Sequence, residues 1–89
     1  MMKMLVALIR NDDTEPVIQG LTDIGLCVTR IASTGGFFRQ GRSTLMVGAE
    51  KVKVDQAIQV IGEKCLPTVD PLSPRATIFV LNVEHFEQI

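Results

Sequence analysis

The chain has 89 residues with nine basic and ten acidic side chains, a formal net charge of -1, so it presents no broad positive field for a nucleic acid polymer or an anionic membrane. That length predicts one domain over residues 1–89, with a single core. Hydrophobic residues make up 46% and charged residues 21%, an apolar balance for so small a body that points to a buried subunit interface.

Lys3 to Ile9 reads as a first strand that is apolar on both faces, with Met4, Val6 and Leu8 on one side and Leu5, Ala7 and Ile9 on the other. Such a strand needs both faces covered. The opening apolar run breaks at Arg10-Asn11-Asp12-Asp13, too short to span a bilayer and without a small-residue cleavage site, so a cytoplasmic location is expected. Asp12, Asp13 and Thr14 are the candidate caps of a first helix, with Glu15 and Pro16 suited to its first turn. Val17, Ile18, Leu21 and Ile24 give it an apolar stripe, and Gly25 stops it.

Leu26 to Ala32 is expected to be a second strand and Ser43 to Ala49 a third, joined by a connection long for a tight hairpin. Over Lys51 to Lys64, Val54, Ala57, Ile58 and Ile61 recur at helical spacing, with polar residues on the opposite side. Pro67, Pro71 and Pro74 then exclude regular structure, and Ala76 to Val83 is the strongest strand signal in the chain. The order β-α-β-β-α-β is that of an α+β, ferredoxin-like sandwich: a four-stranded antiparallel sheet with two helices on one face. The other sheet face keeps much of the second apolar parity of the first and last strands. Leaving it wet forfeits roughly 25 cal/mol per Å² of apolar area, so self-association through that face is expected.

The connection between the second and third strands is the most informative segment. Around it stand hydroxyls at Thr29, Ser33 and Thr34, the pair Gly35-Gly36, aromatics at Phe37 and Phe38, and guanidiniums at Arg39 and Arg42. Consecutive glycines let backbone N–H groups turn toward an anion, hydroxyls and guanidiniums bond phosphate oxygens, and aromatic rings pack on bases. Taken alone, the pattern is matched by an ordinary Gly-Gly turn with its phenylalanines folded into the core.

The stretch Thr29 to Thr44, with its Thr34-Gly35-Gly36-Phe37 centre, the opening Met2-Lys3-Met4 and the ending Ala76 to Gln88 resemble the cyclic di-AMP receptors of the P-II-like family. The resemblance implies a cytoplasmic homotrimer with its sheets facing inward, and a non-enzymatic signal receptor that binds a cyclic dinucleotide in the clefts between subunits. Carried over residue by residue, Thr29 would bond the ligand, Gly35 and Gly36 would bring backbone close to it, Phe37 and Phe38 would line an adenine pocket, and Gly48 would leave room beside the base. Phe79 and Gln88 would complete the cleft from its other side. Arg42 joins the candidate ligand-binding set, at a position where some relatives carry asparagine. Gly25 and Cys27 stand where relatives can carry polar or basic residues. The family's long loop before the last strand is represented here by Cys65 to Arg75. The downstream protein such a receptor addresses is not legible.

Other readings are weighed beside this one. The single histidine, His85, has no helical partner for a metal or a catalytic pair, and Cys27 and Cys65 form no CxxC or Cys/His cluster, so no cofactor, metal or catalytic residue is expected and two buried or half-buried free thiols are. Lys51, Lys53 and Lys64 alternate with acids and read as a solvated helix face. Two alternatives keep the trimer: a P-II-like regulator of another adenine nucleotide such as ATP, and a structural trimer that has lost ligand binding.

Overall fold

The computed structural model describes residues 1–31, 41–67 and 74–89. Its elements are β1 (Met2–Arg10), α1 (Asn11–Asp23), β2 (Val28–Ile31), β3 (Arg42–Glu50), a 3-10 turn over Lys51–Lys53, α2 (Val54–Lys64) and β4 (Ala76–Asn82). All strand pairs are antiparallel, in the spatial order β2-β3-β1-β4, so β1 and β3 are central and both crossovers carry a helix. This is the ferredoxin-like arrangement expected from the element order.

Register decides which residues meet each layer. Leu5 pairs with Val47 and Ala7 with Leu45 on the helix-covered face, and these four residues are fully buried together with Ile9. Val17 and Leu21 of α1 and Ala57 and Ile61 of α2 close that core. The opposite parity, Met4, Val6 and Leu8 of β1, Thr29 and Ile31 of β2, Met46 of β3 and Phe79 and Leu81 of β4, lies on the face without helices. There Phe79 is 54% and Leu81 50% exposed.

The two helices touch closely at Gly20, where a Cβ would stand 2.7 Å from Val60 Cγ1. A glycine inside a helix costs about 1 kcal/mol relative to alanine, and the close approach to α2 is what it permits. Gly25 adopts φ +86°, its N–H bonds the Thr22 carbonyl at 2.9 Å, and the Leu26 N–H bonds the Leu21 carbonyl at 3.0 Å. These two bonds make a Schellman stop, as the position of Gly25 predicts. Lys53 Nζ donates to the Ile24 carbonyl at 2.8 Å, so this lysine caps α1 where a solvated helix face was expected.

Three further details differ from the sequence reading. Helix α1 begins at Asn11, so Asp12 and Asp13 lie inside its first turn; the N-cap is Arg10, which makes no side-chain cap, and Pro16 sits in the helix interior. The leading N–H of Asn11 is satisfied by the Gly41 carbonyl at 2.8 Å, which removes the need for a capping side chain there. Asp13 is 1% exposed and is instead a tie: Oδ2 lies 2.9 Å from Arg10 Nη2, and Oδ1 accepts from the Leu66 N–H at 3.2 Å. Arg10 also donates to the Leu66 carbonyl, fastening the end of α2 to the start of α1. Ile58 is 37% exposed, because the side of α2 that meets the core is centred on the buried Ala57 and Ile61, with Val54 and Val60 partly buried beside them. Cys65 is buried as expected but Cys27 is exposed, since it precedes β2 at the edge of the sheet.

Candidate cleft on the open sheet face

A cleft of about 430 Å³ opens on the face without helices. Its floor comes from the start of β1 (Met2, Lys3 and Met4) and the middle of β3 (Met46 and Gly48). One wall is Cys27 and Thr29 of the β2 edge, and the other is the tail after β4: Val83, Phe86 and Gln88. The volume falls in the range of about 300–1,000 Å³ usual for small-molecule sites.

The local structure explains this hollow. Thr29 pairs with Met46 and Met4 pairs with Gly48, so these four residues of three strands share one face, while Lys3 has the opposite parity. An ideal Cβ on Gly48 would meet no atom within 4 Å, so the missing side chain leaves open space above the sheet. The flanking methionines are flexible and polarizable, suited to follow the outline of a planar ligand. The tail is tethered where the Val83 N–H donates to the Met2 carbonyl at 3.2 Å.

Of the residues singled out from the sequence, Thr29, Gly48 and Gln88 meet in this one cleft. Gln88 lines the cleft together with Thr29 of its own chain. Phe79 is on the same sheet face, on the edge strand β4, and is not part of the lining. Arg42, at the start of β3, donates through Nη2 to the Pro74 carbonyl at 3.1 Å and also lies away from the cleft. Gly35, Gly36, Phe37 and Phe38 fall outside the described residues, as does residues 68–73 of the connection before β4.

Met2, Met4, Met46, Val83 and Phe86 also line the cleft, and the sequence reading assigned them no site role. Two signals mark them: strand parity puts Met4 and Met46 on the face of Thr29, and Phe86 is two residues from Gln88, the spacing that repeats one side of an extended chain.

The electrostatics are mild. Among the described residues Lys3 is the one cationic residue in the lining, and its Nζ donates to Asn82 Oδ1. His85 is exposed and its Nε2 lies 3.0 Å from Glu87 Oε1, outside the cleft. Away from this site, burial and then the nearby Asp13 carboxylate raise the Cys65 thiol above its ordinary 9.0, with Arg10 and Arg75 pulling the other way. Among the described residues no group of three or more His, Cys, Asp or Glu side chains is placed to hold a metal ion, and no helix is long and apolar enough to cross a membrane.

Comparison with known proteins agrees with this architecture. A crystal structure of a functionally unknown protein from Pediococcus pentosaceus superposes with a TM-score of 0.77 at 25% identity, covering 99% of this chain and 97% of the other. Residues 2–75 match the family model described as cyclic-di-AMP receptor. The match takes in Thr29 and Gly48 and stops short of β4 and the tail. The chain belongs to the cyclic-di-AMP receptor family.

Proposed function

We propose that this protein is a cytoplasmic, non-enzymatic receptor that binds cyclic di-AMP at clefts between the subunits of a homotrimer and passes the signal to a partner protein. The observation that carries the reading is the gathering of Thr29, Gly48 and Gln88 around one hollow of about 430 Å³ in a member of this family. Thr29 supplies a hydroxyl for a phosphate or ring nitrogen, Gly48 supplies space for a base, and Gln88 supplies an amide that both donates and accepts. Gly35, Gly36, Phe37 and Phe38 complete the set from the connection between β2 and β3, with Arg42 at the start of β3, and Phe79 joins from a neighbouring copy.

The trimer is supported by the apolar face that one chain leaves uncovered. Ile31, Phe79 and Leu81 are each more than a third exposed on it, beside the partly exposed Met4, Val6 and Leu8. Pressing that face against other copies removes it from water at roughly 25 cal/mol per Å² and brings a second chain to the rim of the cleft. The family's description as a receptor supports the non-enzymatic reading.

Isothermal calorimetry with cyclic di-AMP, ATP and cyclic di-GMP in parallel tests this. Saturable binding of cyclic di-AMP, tighter than that of the other two, is the expected result. Preference for ATP would move the protein to another adenine ligand, and silence with all three would leave a structural trimer.

A further inference from the structure

We propose that Phe86, carried on the tail after β4, is a base-contacting residue of the cleft whose ring stacks on an adenine of the bound nucleotide; this rests on the reading of the cleft as the nucleotide site. The path of the tail is the first argument. β4 and β2 are the two edges of the sheet, three strand spacings apart, or about 14 Å. Val83 is fastened to β1 by its bond to the Met2 carbonyl, yet Phe86 and Gln88 share a cleft with Cys27 and Thr29 at the β2 side. The tail therefore turns back onto the open face of the sheet and walls the cleft above the floor made by β1 and β3.

The second argument is what the ring does there. Phe86 is 58% exposed and takes no part in the hydrophobic core, so core packing does not account for its position. The half-exposed phenyl lines the same cleft as the thioethers of Met4 and Met46 and the bare backbone of Gly48, so the tail and the sheet both give the cleft apolar surface. A planar purine packs on such surface, on ring face and sulfur alike. Gln88, two residues further along the same strand of tail, is then placed to bond the edge of that base.

The chain contains no tryptophan and no tyrosine, so Phe86→Trp makes a sole reporter in the full-length protein. Titrating this variant with cyclic di-AMP should quench its emission, saturating at the Kd that calorimetry gives for the same protein. Phe86→Ala should weaken binding about five- to 100-fold, with circular dichroism and oligomeric mass unchanged because the ring is outside the core. Wild type that binds while Phe86→Ala stays within twofold, or Phe86→Trp that binds without any change in emission, overturns the assignment of Phe86. Wild type that binds no nucleotide overturns the cleft reading itself, and this inference with it.

Discussion

Filling the cleft at Gly48 should separate binding from folding. Gly48 has no positive φ and no atom within 4 Å of its ideal Cβ, so the backbone accepts a side chain there and Gly48→Phe starts into open space. Replacing glycine in a strand interior removes a penalty of about 0.5–1 kcal/mol, so stability should hold or rise slightly. A phenyl ring carried there enters the space that the missing side chain leaves open on the face of Met4, Met46 and Thr29. A base bound above Gly48 is displaced by it, at about 1–3 kcal/mol, a loss of roughly five- to 150-fold in affinity. The assay is calorimetry with cyclic di-AMP, alongside thermal melting and light scattering on the same preparation. Undiminished affinity in a folded Gly48→Phe protein would refute the argument, because it would put the base somewhere other than above Gly48.

Other perturbations probe the frame and the cleft separately. Gly20→Val should cost about 1–3 kcal/mol, since its Cβ starts 2.7 Å from Val60 Cγ1, and adding Val60→Ala should recover part of the loss in chemical denaturation. Asp13→Ala should cost about 1–3 kcal/mol by leaving Arg10 and the Leu66 N–H without their carboxylate; denaturation midpoints that match wild type would show the tie to be idle. Alkylation should modify one thiol per native chain, Cys27, with cyclic di-AMP slowing it, while Cys65 reacts only on unfolding. Because the folded thiol of Cys65 titrates above its ordinary 9.0, its neutral form contributes stability that is whole below that value and declines as pH rises from there through the folded pKa. Cys65→Ser should flatten that alkaline decline in a pH series of melts.

The fold was legible in the sequence because strand periodicity and turn residues pointed the same way. Leu5, Ala7 and Ile9 mark one buried face, and Gly25 marks a helix stop that the backbone realises. The start of α1 was not legible, because its first N–H is satisfied by Gly41, thirty residues on, and a tertiary partner of that kind overrides local capping preferences. The role of Asp13 was hidden for the same reason: Leu66 is brought to it only by the packing of α2. Ile58 fitted the helical spacing, yet four apolar positions define a stripe wider than the groove available, and the flank stays exposed.

At the cleft, physical pattern alone favoured an ordinary turn, and the family resemblance drew attention to Thr29, Gly48 and Gln88. That these three converge depends on sheet register and on the tail returning to the open face, neither of which residue spacing encodes. The methionine floor and Phe86 passed as generic apolar positions until the tail's path gave them a shared direction.

Native mass spectrometry of the protein with cyclic di-AMP tests the central claim most directly, since it reads assembly and occupancy together. The account predicts a complex of three chains carrying three nucleotides, displaced by neither ATP nor cyclic di-GMP at equal concentration. A monomer, or a trimer that stays empty in saturating ligand, would contradict it.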